Sequence, residues 1–119
     1  MRDFRALKVW QDSHQLTLDI YKVTKDFPKE ELFALTSQMR RASSSNPTNI
    51  AEGCGRGTNK DFARFLQIAI GSAFELDYHL ILANDLSYLK GEIYLDLNEK
   101  VTRLKKQTIA LIQKIQSDF

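Results

Sequence analysis

The sequence predicts an all-α protein that folds as a single antiparallel up-down-up-down four-helix bundle over residues 1–119. Apolar residues recur at helical spacing over four long segments. The 2 prolines and 5 glycines fall at only a few places along the chain, most of them between these segments. A chain of 119 residues suits one domain with one core. Short turns between long helices favour antiparallel neighbours, which completes the predicted topology.

The first helix is predicted over residues 5–26 and carries two adjacent apolar stripes. The first stripe consists of Leu7, Trp10, His14, Thr17, Tyr21 and Thr24, and the second of Val9, Leu16, Ile20, Val23 and Phe27. Two stripes give a wide apolar arc, as expected for a helix that touches two neighbours. Pro28 disfavours helical geometry in the residue before it and therefore ends this helix.

The second helix is predicted to begin between Pro28 and Glu31 and to contain a proline. Its inner face consists of Leu32, Leu35, Met39, Ala42, Asn46 and Ile50. Pro47 removes the backbone hydrogen bond to the carbonyl of Ser43, so the helix is either kinked at Pro47 or broken there and capped again by Ser45 or Asn46. We favour the kink, because the apolar spacing stays in phase across Pro47. The serines at 43–45 can bond to freed carbonyls, and Gly53 or Gly55 is expected to end the helix in the left-handed conformation.

The third helix is predicted over residues 59–87, capped by Thr58 or Asn59, and Thr58 with Asp61 resembles a capping box. Its core side consists of Phe62, Phe65, Leu66, Ala69, Ala73, Leu76, Leu80 and Ala83. A second apolar group lies roughly 80–100° around the axis and consists of Ile70, Phe74, Tyr78 and Ile81. A four-helix bundle has no central helix that could bury both groups, so we expect the second group to form an interface between subunits.

The fourth helix is predicted over residues 92–117, after a turn at residues 88–91. It has the most regular heptad pattern of the chain, formed by Tyr94, Leu97, Val101, Leu104, Thr108, Leu111 and Ile115.

Charge distribution indicates one candidate binding surface. The formal net charge of +2 is too small to indicate a nucleic-acid partner by itself. Residues 37–65, however, contain five basic side chains against two acidic ones, and the basic ones are Arg40, Arg41, Arg56, Lys60 and Arg64. They form either a stripe that contacts phosphates or a solvated face with the local pairs Glu52–Arg56 and Asp61–Arg64. A second group of cations, residues 100–114, follows acids on the same helix, as the helix dipole favours.

No catalytic, metal or cofactor site is predicted. The glycines of residues 53–57 follow a helix rather than a strand, which favours a helix end over a phosphate loop. His14 lies on an apolar stripe and is expected in the core, whereas His79 is expected to form a surface pair with Glu75. Together with the single Cys54 they do not match a metal-ligand spacing. Without a signal peptide or an apolar membrane segment in the sequence, we expect a cytoplasmic protein with no membrane partner.

Five strings carry a resemblance to a known family: LKVWQ at residues 7–11, IYKVTKDFPKEE at 20–31, LTSQMRRAS at 35–43, NPTNIAEGCGR at 46–56 and FARFLQIAIGSAFEL at 62–76. The chain resembles the four-helix-bundle proteins encoded in intervening sequences of bacterial 23S ribosomal RNA genes. It departs from them at Ser45-Asn46-Pro47, where that family more often has an apolar residue before the proline. The resemblance implies a ring-shaped homopentamer. It extends to the accessory protein of diversity-generating retroelements, which implies nucleic acid and a reverse transcriptase as partners.

Two functions follow as hypotheses. The first is a non-enzymatic oligomer that binds structured RNA or another nucleic acid through its basic surface. The alternative is a structural or adaptor oligomer that binds a protein partner such as a reverse transcriptase, with the basic residues serving solubility and helix capping.

Overall fold

The computed structural model describes residues 2–117 and contains four long helices. They are α1 (Lys8–Thr24), α2 (Leu35–Cys54), α3 (Asn59–Asp85) and α4 (Gly91–Ser117), with short 3₁₀ turns at Phe4–Ala6 and Lys29–Glu31. No strand occurs within the described residues. The predicted all-α class and four-helix architecture are therefore confirmed.

Each helix packs against two others, so that α1 and α3 both contact α2 and α4. Between α1 and α4 the hydrogen bonds join residues in opposite chain order, as in helices that run in opposite directions: Asp12 bonds to Gln107 and Asp19 bonds to Lys100. Asn46 of α2 bonds to Ala69 of α3.

All four helices contribute to the core, and the apolar faces predicted for α3 and α4 lie within it. All eight residues predicted for the core side of α3 are buried, and the central positions of the α4 heptad are buried as well. Leu32 departs from the prediction, because it is 48% exposed. The chain at residues 29–31 forms a 3₁₀ turn, and α2 begins only at Leu35. Leu32 therefore lies before the helix and does not belong to its inner face. α1 likewise begins at Lys8 instead of Arg5.

α2 continues through Pro47 without interruption, so the alternative of a broken helix is wrong. The carbonyl that Pro47 leaves without its helical donor is that of Ser43. Thr17 of α1 donates its hydroxyl to this carbonyl at 2.8 Å. The hydroxyls of Ser43 and Ser44 donate instead to carbonyls three residues back, at 3.0 and 3.3 Å. The compensation for the proline therefore comes from the neighbouring helix.

Asn46 connects three helices inside the core, where only 2% of its surface is exposed. Ser13 of α1 donates its hydroxyl to Asn46 Oδ1 at 2.6 Å, and Asn46 Nδ2 donates to the carbonyl of Ala69 in α3 at 2.7 Å. A buried amide is tolerated when it has partners of this kind. Asn46 is thus a polar link in which both side-chain amide atoms are hydrogen-bonded.

The helix ends follow the predictions only in part. Thr58 accepts a hydrogen bond from the Asp61 backbone N–H at 3.2 Å, which confirms the predicted cap. The prediction of a left-handed glycine cap after α2 is wrong, since no described glycine has a positive φ and Gly55 has φ −80°. The left-handed residue is Ser87 (φ 64°), after α3, where the Tyr88 N–H bonds to the carbonyl of Ala83 at 2.9 Å. This is the bonding pattern of a Schellman motif.

Gly53 lies inside α2 and permits the close approach of α3. A Cβ atom at this position would lie 2.8 Å from Phe62 Cδ1 and 2.9 Å from Phe65 Cβ.

α3 is also long and apolar enough to cross a membrane by length and composition alone, a property that the core helix of a bundle shares.

Candidate nucleic-acid interface

The end of the bundle where α2 passes into α3 carries a group of basic side chains. Arg56 lies in the turn after α2, Lys60 in the first turn of α3 and Arg64 one turn further on, and all three are exposed. Arg2 joins them, because its backbone N–H donates to the carbonyl of Cys54 at 3.0 Å. We call these four residues the turn-end basic cluster.

Aromatic rings support three of the four cations. The guanidinium carbons of Arg56 and Arg64 lie 4.7 and 4.6 Å from the centre of the Phe65 ring. The guanidinium carbon of Arg2 lies 4.4 Å from the centre of the Phe62 ring. Cation–π contacts of this kind contribute about 0.5–1 kcal/mol at exposed sites. They fix the guanidinium groups while leaving N–H donors available for phosphate oxygens.

Acidic residues neutralise this cluster only in part. Asp61 lies 3.7 Å from Arg64, as the sequence predicted. The predicted pair Glu52–Arg56 is not formed among the described residues, where Arg56 lies over Phe65 instead. One of the two local pairs is thus confirmed and the other is wrong, so the solvated-face interpretation accounts for only part of the cluster.

Arg2 was not predicted as part of this surface. Its side chain donates to Asn59 Oδ1, which ties the N-terminal segment to the first turn of α3. The sequence shows only a basic residue near the N-terminus, and its position over Phe62 depends on how the segment folds across the bundle end.

Arg40 and Arg41 lie on α2 away from the turn-end basic cluster. Arg41 is 15 residues before Arg56, which corresponds to roughly 20 Å along a helix. Arg40 is half-buried against α1, where its Nε donates to Thr24 Oγ1 at 3.0 Å. Arg41 is exposed in a polar groove towards α3, which Gln38 and Glu75 also line. The five predicted basic residues thus occupy three separate locations.

The residues predicted for an interface form a largely exposed group on α3. Phe74 is 54% exposed, Tyr78 is 59% exposed and Ile81 is 42% exposed, while Ile70 is half-buried. Lys105 of α4 lies over Phe74, with its Nζ 4.0 Å from the ring centre, and pairs with Asp77. This apolar surface within a single chain is consistent with the expectation of association.

Both histidines lie where the sequence did not predict them. His14 is exposed and its ring is stacked on Trp10, with centroids 5.1 Å apart. His79 pairs with Glu75 as predicted, at 3.7 Å, but it is only 6% exposed. Burial lowers the pKa of His79, and the Glu75 carboxylate acts against that effect. The core histidine is thus His79, and the surface histidine is His14.

The remaining candidates are the Cys54 thiol and any cluster of metal-ligating side chains. Burial raises the pKa of the Cys54 thiol, which disfavours the nucleophilic thiolate. Within residues 2–117 there is no cluster of three or more His, Cys, Asp or Glu side chains that could hold a metal ion.

The fold and this surface define a small all-α bundle protein with an exposed basic end. A family model described as 23S rRNA-intervening sequence protein matches residues 5–110. The chain therefore belongs to the 23S rRNA-intervening sequence protein family. The comparison with curated proteins gives no match.

A solved structure supports this assignment. The chain is similar to a crystal structure of a protein of unknown function from the S23 ribosomal protein family of Bacteroides thetaiotaomicron VPI-5482, with 28% identity and a TM-score of 0.82. The match covers 88% of this chain and 95% of the other. Neither comparison indicates a catalytic family.

Proposed function

We propose that this protein is a non-enzymatic, cytoplasmic oligomer that binds structured RNA through the turn-end basic cluster. The observation that carries the proposal is the set of arginines held on Phe62 and Phe65 at one end of the bundle. The ribosomal RNA setting in the family's description is consistent with an RNA ligand. Contacts of cations with phosphates supply most of the affinity of such surfaces and do not require a defined sequence.

The arrangement of the subunits is part of the same proposal. A homopentamer, as the resemblance implies, would repeat the basic cluster five times around a ring. Several weak contacts to one RNA would then act together, because binding of one subunit raises the effective concentration of the others. Arg40 and Arg41 would add phosphate contacts along the side of each subunit.

Titration of a structured RNA at two salt concentrations tests the proposal. We expect binding that weakens as salt rises, and a double variant Arg56→Ala/Arg64→Ala that lowers the slope of log affinity against log salt by about 2. The matched control is Lys106→Ala/Lys114→Ala, which removes the same charge from exposed positions of α4. Absent or salt-independent binding, or equal losses in the two double variants, would contradict the proposal.

An adaptor function for a protein partner is the second candidate. The exposed apolar group on α3 favours it, since such a surface binds proteins as well as copies of the same chain. The ratio of absorbance at 260 and 280 nm of untagged protein, measured before nuclease treatment, distinguishes the two. Co-purified RNA supports the first function, and a co-purified polypeptide such as a reverse transcriptase supports the second.

A further inference from the structure

A row of aromatic side chains runs from the 3₁₀ turn at Phe4–Ala6 along the exposed edge of α1, where Arg40 of α2 lies over Tyr21. Phe4 packs edge-on against Trp10 with ring centroids 5.0 Å apart, and His14 stacks almost parallel on Trp10, at 6° between the ring planes. Tyr21 continues the row, since residues 10, 14 and 21 lie within about 40° of one another around a helix. We call these four residues the aromatic row.

The row has surface available for a further ring. His14 is exposed, and Tyr21 is 42% exposed. Trp10 stacks on one face of the His14 ring, and His14 itself is exposed to solvent. A flat aromatic group that stacks on this exposed ring would extend the stack by one ring.

Arginines lie at both ends of the aromatic row. The guanidinium carbon of Arg5 lies 4.7 Å from the centre of the Phe4 ring, and that of Arg40 lies 4.9 Å from the centre of the Tyr21 ring. The acids of α1 point elsewhere, because Asp12 bonds to Gln107 and Asp19 to Lys100, both on α4. The edge between α1 and α2 therefore combines rings with positive charge.

The aromatic row also continues into the turn-end basic cluster. The 3₁₀ turn that carries Phe4 and Arg5 contacts α2, and the preceding Arg2 bonds to the carbonyl of Cys54. Arg5 thus lies between the row and the cluster. A flexible polyanion that binds the cluster has a path along which its next units meet aromatic rings.

We propose that this edge binds an unpaired segment of RNA, with bases stacked on His14 and Tyr21 and phosphates on Arg5 and Arg40. Bases of a duplex are already stacked within it and cannot reach the rings, whereas unpaired bases can. Stacking of this kind accepts any base, and together with cations it forms the usual surface for single strands. The inference rests on the proposed function, because the same RNA also contacts the turn-end basic cluster. To that function the inference adds the ligand class, which is single-stranded RNA.

The test compares two ligands on the full chain: a short single-stranded oligoadenylate and a blunt RNA duplex of the same length, at one salt concentration. We expect tighter binding of the single strand. Trp10 is the only tryptophan, so its fluorescence reports on the row and should change with the single strand and not with the duplex. Tyr21→Ala should weaken single-strand binding about tenfold and leave duplex binding nearly unchanged.

Two control variants separate stacking from other effects. Tyr21→Phe keeps the ring and should bind the single strand as the unaltered chain does. Phe33→Ala removes a ring that is 93% exposed outside the row, and it should have no effect. Circular dichroism verifies that each variant keeps its helices.

The outcomes distinguish this inference from the proposed function. Equal binding of the two ligands, or a Tyr21→Ala variant that binds the single strand normally, overturns the inference. If Arg56→Ala/Arg64→Ala still weakens binding in that case, the proposed function stands without it. If neither RNA binds the unaltered chain, both are wrong.

Discussion

His79 is a buried histidine with an unsatisfied nitrogen. No described group bonds to its Nδ1, and its Nε2 lies 3.7 Å from Glu75 Oε2. The ring lines a groove between the start of α2 and the end of α3, to which Glu31 and Gln38 also contribute. A protonated His79 would carry its charge in this largely desolvated position, which is why burial lowers its pKa.

The lowered pKa predicts that acid destabilises the protein. As pH falls below about 6.5, the unfolded chain binds a proton at this histidine before the folded chain does. The contribution of His79 to folding is therefore complete above the unfolded pKa and is lost as pH falls through the folded pKa. Urea unfolding at about pH 7.5 and about pH 5.5 should show a smaller loss of stability for His79→Gln than for the unaltered chain.

His14→Gln is the control for that measurement, because His14 is exposed on the surface of α1. It should lose stability between the two pH values as the unaltered chain does. An unaltered pH dependence in His79→Gln would contradict the assignment of this effect to His79.

The two histidines show what sequence periodicity misses at single residues. His14 shares a stripe with Trp10, but that stripe lies at the edge of the α1–α2 contact and only its threonines are buried. His79 follows Glu75 by one turn, which predicted the pair but not that the ring is buried beside the start of α2. The burial of a polar residue depends on where the neighbouring helix lies, and the periodicity of one helix does not contain that information.

At the scale of elements, α2 depends on a hydrogen bond from α1. Thr17→Val removes the hydroxyl that bonds to the carbonyl of Ser43, and Pro47 has no N–H to replace it. We expect a loss of about 1–3 kcal/mol in the free energy of unfolding, since the buried carbonyl is left without a donor. Chemical denaturation measures this loss.

Two further variants test the mechanism. Thr108→Val also removes a buried hydroxyl, but the Leu104 carbonyl that it contacts keeps its helical N–H donor, so the loss should be smaller. Pro47→Ala supplies the missing N–H and should recover part of the stability lost in Thr17→Val. Additive effects of Pro47→Ala and Thr17→Val would show that the two residues do not act through the same carbonyl.

Helix interiors were more predictable than helix ends. The core side of α3 and the heptad of α4 followed from apolar spacing, because burial on one face imposes a period on every position of a long helix. The end of α2 was not predicted correctly from the glycines. Gly53 is required because Phe62 and Phe65 approach the helix closely there, and not because the chain turns. The residue with left-handed backbone geometry at a helix end is Ser87. Serine predicts such an end less strongly than glycine does.

At the scale of the whole molecule, the exposed group on α3 predicts association. Phe74→Glu should convert the oligomer into folded monomers of 13.7 kDa, because a charge in an apolar interface is costly to bury. The fold itself should tolerate the change, since Phe74 is 54% exposed and the cation of Lys105 lies beside it. Light scattering gives the mass, and circular dichroism gives the helix content.

Phe33→Glu is the matched control, because it places the same charge at a 93% exposed ring outside the group. It should leave the mass unchanged. A monomeric unaltered chain, or an oligomer that survives Phe74→Glu, would contradict the interface prediction.

The candidate site was predictable only in part, for reasons that also belong to the whole molecule. Arg56, Lys60 and Arg64 were found because they are close in sequence around one turn. Trp10, His14 and Tyr21 shared a predicted stripe, but the sequence did not show that this part of the stripe stays at the surface. Arg2 and Phe4 were missed, because they join the surface only when residues 2–7 fold against the end of α2. Contacts between segments so distant in sequence have no local signature.

The polar link at Asn46 also fixes how far α1 can slide along α2. Its amide meets Ser13 and the Ala69 carbonyl only at one axial offset of the three helices. A displacement by one helical turn, about 5.4 Å, would leave the polar atoms of Asn46 and Ser13 without hydrogen-bond partners in the apolar core. The bonds of Asn46 therefore also keep Tyr21 of α1 beside Arg40 of α2. A buried residue that no ligand can reach thus determines the spacing of side chains on the surface that a ligand would contact.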